Sequence, residues 1–306
     1  MENPFLIFLS VCPKITFLYL SLMNNSATER FGFFCSYYFR KLFSNPTTDD
    51  LFRKRFYRAT RKESVTILSE NENEIIFKLN NKTKNDLQVC VRKKSSSDIQ
   101  VFSQIFKKKE YEALVKTILE SAKEPAIRFV IDAGANVGFT SLYLQQYFPK
   151  AFFFVIEPDE NNLQQAKKNF RLNKLVNSEM HLAGIWYSDC WLQINRDADE
   201  GKEWSYYVTA SDKPSGLKGM SLSAILNKSD FPLIDILKLD IEGGEKELFT
   251  KEESISPVLQ KTRFIALEIH DHLADRKHIL SILEKNKFIW FNQGELTIAT
   301  NQSLLN

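Results

Sequence analysis

The stretch Phe129-Val-Ile-Asp-Ala-Gly-Ala-Asn-Val-Gly138 decides the fold. It opens with apolar, β-prone residues, passes through an acid, and crosses a short turn that holds two glycines. The apolar run Phe139–Tyr147 follows at helical spacing. A buried strand that turns through glycine straight into a helix is the opening unit of a parallel α/β sheet. Glycine makes the turn tight and lets a ligand reach the backbone with no Cβ in the way.

The rest of the C-terminal half repeats that unit. Strands are expected at Arg128–Asp132, Phe152–Ile156, His181–Trp186, Ile234–Leu239 and Phe264–Ile269. Helices are expected at Phe139–Tyr147, Glu160–Leu172, Leu222–Asn227, from Gly244, and at Lys277–Asn286. Phe288–Phe291 and Glu295–Ala299 read as a closing hairpin. The continuous apolar run Ala151-Phe-Phe-Phe-Val-Ile156 fits a strand covered on both faces. The fold class is thus α/β: a doubly wound, mostly parallel sheet with a C-terminal antiparallel hairpin. Such sheets bind ligands beyond the C-terminal ends of their strands, so the polar residues at those ends are the candidates for function.

Four groups qualify. In the first, Gly134, Asn136 and Gly138 lie beside Asp132. A helix start favours an anionic group, and Asp132 can hold an ammonium. Together they suit the amino-acid end of S-adenosylmethionine. The dinucleotide fingerprint G-x-G-x-x-G is absent, because Asn136 stands where its second glycine belongs. A nicotinamide-dependent oxidoreductase is therefore the alternative reading. In the second group, Glu157 ends the next strand, 19 residues after Gly138, where a carboxylate can accept both ribose hydroxyls of an adenosine-type cofactor. The third is Leu237-Lys-Leu-Asp-Ile-Glu-Gly-Gly-Glu245, in which Asp240 and Glu242 leave a buried strand and Lys238 shares the side of Asp240. Glu245 reads as a charge that complements the helix dipole. In the fourth, Glu268 and His270 are two apart and face one way; His270, oriented by Glu268, is the expected general base, with Asp240 and Glu268 as the alternatives. His270-Asp271-His272 invites a metal, but no regular register joins those three, and no metal is assigned.

These motifs resemble the FkbM family of methyltransferases. The resemblance rests on Ile131-Asp-Ala-Gly-Ala-Asn-Val-Gly138, Ile156-Glu-Pro-Asp159, Leu237–Glu245 and Leu267-Glu-Ile-His270, in that order, with a lead-in at Ser97–Phe106 and Glu110-Tyr111. It spans about Arg92 to Thr300. It implies a Rossmann-like class I enzyme that uses S-adenosylmethionine to methylate a hydroxyl on a sugar, a polysaccharide or a related metabolite, as in polysaccharide biosynthesis. By the same resemblance, Asp132, Gly134, Asn136 and Gly138 line the methionine end and Glu157 holds the ribose. Asp240, Glu242, Glu268 and His270 surround the methyl donor and acceptor, and Asp189 lies where the adenine is met.

Ahead of this domain, taken as residues 125–306, the sequence has two further segments. Residues 63–124 read as a small β-rich subdomain, with strands at Ser64–Leu68, Glu74–Leu79 and Leu87–Arg92, followed by a helical lead-in over Asp98–Lys123. Residues 1–62 form a hydrophobic and basic helical extension. Within it Phe5–Met23 is apolar but split by Pro13-Lys14, which argues against a spanning helix. It reads as a helix that packs on the domain, as a weak membrane anchor, or as residues ahead of a start at Met23. The basic run Arg53-Lys-Arg55, Arg58, Arg61 and Lys62 reads as a solvated helix face, with RNA binding or modification as its alternative. A net charge of only +3 does not call for nucleic acid, and none is expected as a partner. Four cysteines without a C-x-x-C pair fit a reducing compartment, the cytoplasm.

Overall fold

The computed structural model describes residues 32–34, 37, 47–61, 63–80, 86–94, 96–121, 126–196, 206–212, 214 and 216–305. The apolar run 5–23 and Lys62 lie outside them. Among the described residues no helix is long and apolar enough to cross a membrane. The chain divides into two compact units, residues 1–103 and 104–306.

In the first unit, helix α1 (Thr48–Ala59) starts at a capping box in which Thr47 and Asp50 satisfy each other's backbone N–H groups. Strands β1 (Val65–Glu70), β2 (Glu74–Leu79) and β3 (Leu87–Arg92) form an antiparallel sheet in that order. Burial alternates along β2, so Ile75, Phe77 and Leu79 turn inward. Phe77 meets Phe56 of α1 and Phe102 of α2 (Asp98–Phe102) edge to face, with ring centroids 5.1 Å apart in both pairs. On the expected basic face, Arg53 pairs with Asp49 and Glu70, so part of that charge is neutralised within the unit. The lead-in expected as one helix is interrupted. After α2 comes a π-helical turn, Ser103–Lys107, and then α3 (Glu112–Leu119). The polar run Lys107–Glu110 offers no apolar face to continue on, and Lys109 takes a left-handed φ of 57°.

The second unit is built on a 10-stranded sheet. Its centre is β4 (Phe129–Ala133), β5 (Phe152–Glu157), β6 (Ser178–Trp186), β10 (Ile234–Leu239) and β11 (Thr262–Glu268), all parallel. Helices α4 (Phe139–Gln145), α5 (Glu160–Leu172), α6 (Leu222–Lys228), α7 (Glu245–Thr250), α8 (Glu252–Leu259) and α9 (Arg276–Lys285) occupy the connections. The hairpin β12 (Phe288–Gln293) and β13 (Leu296–Asn301) closes one edge, with β13 antiparallel to β11. At the other edge the sheet extends further than the sequence reading foresaw. Strands β7 (Cys190–Arg196), β8 (Tyr206–Ser211) and β9 (Leu217–Ser221) give the full order β12-β13-β11-β10-β4-β5-β6-β9-β7-β8. Gly219 permits the close approach of β9 to β7, since a Cβ there would stand 2.7 Å from Cys190 Sγ. The main core lies between the sheet and α6, α8 and α9, with Phe129, Ile131, Leu237, Leu239, Ile265 and Leu267 fully buried.

Candidate active site

Strand register brings the candidate side chains to one level. Ala133 pairs with Ile156 on β5 and with Leu239 on β10, and Leu239 pairs with Leu267 on β11. The next residues, Gly134, Glu157, Asp240 and Glu268, therefore sit at the same end of the sheet. That end includes the place between β4 and β10 where strand order reverses, the usual ligand crevice of an open parallel sheet.

The turn after β4 is left-handed at Gly134 (φ 75°), Asn136 (φ 51°) and Gly138 (φ 80°). The Gly134 and Ala135 N–H groups donate to the Ile156 carbonyl at 2.9 and 3.0 Å, which pins the turn to β5. Asn136 N–H donates to Glu157 Oε2 at 2.7 Å, and Asp159 N–H donates to Glu157 Oε1 at 3.0 Å. Glu157 is only 1% exposed, so these two backbone donors fix its orientation from below. The side-chain Oδ1 of Asn136 is buried without a hydrogen-bond partner among the described residues. An acceptor left in that state is costly and suits a ligand donor.

Gly134, Asn136, Glu157, Asp240 and Glu242 line one cleft of about 540 Å3, part of it open to solvent. Ile156, Pro158, Ile185 and Val208 add apolar walls. Val208 comes from β8, a strand the sequence reading had not placed; its β-prone run Tyr206–Ala210 was the available signal.

Glu268 and His270 stand beside this cleft, and three candidates belong to neither place. Asp132 is wholly buried beneath the turn, accepts a hydrogen bond from Ser141 Oγ at 2.6 Å, and lies 3.4 Å from Lys238 Nζ. Gly138 is a packing position, since a Cβ there would stand 2.7 Å from Phe170 of α5. Asp189 is exposed in the turn between β6 and β7, where it accepts the Ser221 N–H at 2.8 Å. Asp189 is not among the residues that line the cleft.

Lys238 braces the site. Its ammonium donates to the Ala133 and Gly134 carbonyls, and it lies 3.7 Å from Asp240. Burial works against its charge, but Asp132 and Asp240 outweigh it and hold the pKa above the usual lysine value.

Beside the cleft is an acidic basin. His270 Nδ1 lies 3.2 Å from Glu245 Oε1, and Nε2 lies 3.4 Å from Glu242 and 3.8 Å from Glu268. Glu245 is wholly buried, and its Oε1 also accepts the Ile241 N–H at 3.0 Å. It therefore orients the imidazole, a role given above to Glu268. The spacing Asp240-x-Glu242-x-x-Glu245 held that information only once the turn was known to double back on β11. Burial opposes protonation of His270, yet hydrogen bonds to Glu242 and Glu245 prevail and push its pKa up to about 11. Burial, followed by the Asp240 carboxylate, pushes Glu268 up to about 8. Glu110 is raised by the same two causes and is also influenced by Glu295.

The chain matches the model of the methyltransferase FkbM domain over residues 132–290. Methyltransferase 1 of Beauveria bassiana (strain ARSEF 2860) is 23% identical over 180 residues, which cover 50% of this chain and 72% of that protein. The ribosomal RNA large subunit methyltransferase G of Shewanella woodyi (strain ATCC 51908 / MS32) is 28% identical over 78 residues, 26% of this chain and 19% of that one. Among solved structures, the methyltransferase FkbM of Methylobacillus flagellatus KT has a TM-score of 0.39 at 16% identity. That match covers 66% of this chain and 54% of the other, so this chain spans about half its length. The N-terminal domain of human METTL16 in complex with SAH has a TM-score of 0.38 at 18% identity, covering 82% and 78%. The expectation that nucleic acid is no partner is corrected here, because a ribosomal RNA methyltransferase is among the relatives similar to this chain.

Proposed function

Because the chain belongs to the FkbM methyltransferase family, we propose that its cleft binds S-adenosylmethionine and that the enzyme methylates a hydroxyl on a sugar, a polysaccharide or a related metabolite. One observation carries the reading. Motifs far apart in sequence, at Gly134–Asn136, Glu157 and Asp240–Glu242, line a single cleft at the ends of parallel strands. S-adenosylmethionine, when bound, supplies an electrophilic methyl that an acceptor oxygen can take.

The remaining work falls to the chain. Gly134 and Asn136 receive the amino-acid end, with Asn136 Oδ1 accepting from the ligand's ammonium. Glu157, held by two backbone N–H groups, accepts the ribose hydroxyls. Ile156, Ile185 and Val208 cover the base and exclude water. Asp132 acts at one remove by holding Lys238. Asp240 and Glu268 position the acceptor hydroxyl, and much of the rate comes from holding the reacting atoms in line. The base role expected of His270 passes to the carboxylates, with Glu242 nearest to solvent. Both ring nitrogens of His270 already face acids, so the imidazole acts there as a donor.

A second reading has an RNA acceptor, as the name of the Shewanella relative suggests. Calorimetry with S-adenosylhomocysteine and with NAD tests the cofactor. Uptake of NAD alone would overturn the proposal. Transfer of a radiolabelled methyl group to a glycan fraction, to sugar nucleotides or to total RNA tests the acceptor. Label found only in RNA would replace the hydroxyl-sugar reading by the second.

A further inference from the structure

We propose that Asp240, Glu268 and His270 form a site for a divalent cation such as Mn2+. One carboxylate oxygen from each acid and one imidazole nitrogen lie within 4.8 Å of one another. Metal–ligand bonds of about 2.1 Å bring such atoms to within about 3–4 Å, so small side-chain rotations complete the shell. The strands supply the framework. Leu239 and Leu267 are paired neighbours, hence Asp240 and Glu268 leave β10 and β11 side by side, and His270 follows two residues on.

Two further observations point to a cation there. The first is the setting of His270. Wholly buried Glu245 holds Nδ1 at 3.2 Å and leaves Nε2 directed at the carboxylates. A carboxylate behind a histidine, with the other nitrogen turned to a cluster of acids, is the arrangement that orients metal-binding histidines. The Oε2 of Glu245 is itself buried without a hydrogen-bond partner among the described residues. The second is a shortage of positive charge. Glu110 and Glu295 act electrostatically on Glu268 alongside Asp240, and Glu242 and Glu245 flank His270. Lys238, the cation 3.7 Å from Asp240, is shared with Asp132 and with the carbonyls of Ala133 and Gly134. A divalent ion in place of the Nε2 proton supplies the missing charge. Two carboxylates and one imidazole are ligands of the type that bind Mn2+.

The consequence for catalysis rests on the methyl-transfer reading above; the site itself does not. Three protein ligands leave coordination positions open, and an acceptor hydroxyl bound there loses its proton more readily. That proton passes to Glu242. The oxygen forms a bond to the methyl carbon while the carbon–sulfur bond breaks, and its electron pair stays on sulfur.

The test is titration of chelator-treated, full-length protein with Mn2+ alone, reading free ion by electron paramagnetic resonance. S-adenosylhomocysteine affinity is measured calorimetrically on the same samples. One Mn2+ per chain is expected. Glu268→Gln and Glu245→Gln should each weaken it at least about tenfold while S-adenosylhomocysteine affinity stays within twofold. Glu245→Gln reports on orientation, Glu268→Gln on ligation. Wild-type protein that takes up S-adenosylhomocysteine but no Mn2+ overturns the cation site and leaves the cofactor reading standing. Unchanged Mn2+ affinity in Glu268→Gln overturns it equally. Uptake of Mn2+ without S-adenosylhomocysteine supports the cation site and overturns the cofactor reading instead.

Discussion

A Cβ built on Gly134 would stand 1.7 Å from the backbone carbonyl oxygen of Asp240. The main chain of the turn after β4 thus lies directly against the main chain at the end of β10, and Gly134 also holds φ at 75°. Gly134→Ala has to push the two strands apart and adopt a left-handed backbone. The expected loss is about 2–5 kcal/mol of stability, read by urea unfolding, with S-adenosylhomocysteine binding lost in the same variant. A Gly134→Ala protein of wild-type stability would show that the two strand ends do not meet this way.

Lys238→Met leaves Asp132 wholly buried beside no cation. Removing one partner of a buried ion pair costs about 3–5 kcal/mol, so this single variant should unfold at much lower urea. Adding Asp132→Asn removes the stranded charge, and the double variant should recover part of the loss. If the second substitution only adds to the damage, the two residues are not coupled.

Glu157→Ala is expected to lower S-adenosylhomocysteine affinity by about 10- to 100-fold, the worth of charge-assisted hydrogen bonds to a ligand diol. Because Glu157 also accepts from Asn136 and Asp159, a Glu157→Gln variant, which keeps one acceptor oxygen, should be better folded but still weakened. Calorimetry at matched thermal stability separates the two effects. Full affinity in Glu157→Ala would remove the ribose assignment.

The basin predicts a pH dependence in the chelated protein. His270 is held up to about 11 against an ordinary value of 6.5, so between these limits the folded state binds more protons than the unfolded chain. Its contribution is complete below pH 6.5 and is lost as pH rises through about 11. Glu268, held up to about 8 from 4.5, acts in the same direction over its own lower range. Unfolding free energy should fall from pH 6 to pH 10, and His270→Gln should flatten the part above pH 8. An equal slope in both proteins would mean that His270 is not held as a proton donor.

Much of this was legible in the chain. Strands β2, β3 and β10 and helix α5 fall where the apolar periodicity puts them, and the closing hairpin has the expected pairing. Long apolar strands and amphipathic helices carry their own signal, because burial on one or both faces dictates composition residue by residue. Strands β7, β8 and β9 gave a weaker one. Strand β9 pairs with β6 and β7 across 25 residues or more, and β7 has just one fully buried side chain among those described, Leu192.

For the site, local sequence determined which residues end strands: Gly134, Glu157, Asp240 and Glu268. A strand end is a local property, set where an apolar run meets a polar residue or a glycine. Only the tertiary structure decided which of the candidates face the cleft. Register across β4, β5, β10 and β11 gathers those four at one level, while packing turns Gly138 toward Phe170 and buries Asp132 against Lys238. The partnership of Glu245 with His270 belongs to the tertiary level too, since 25 residues separate them and the fold alone brings the carboxylate to the ring.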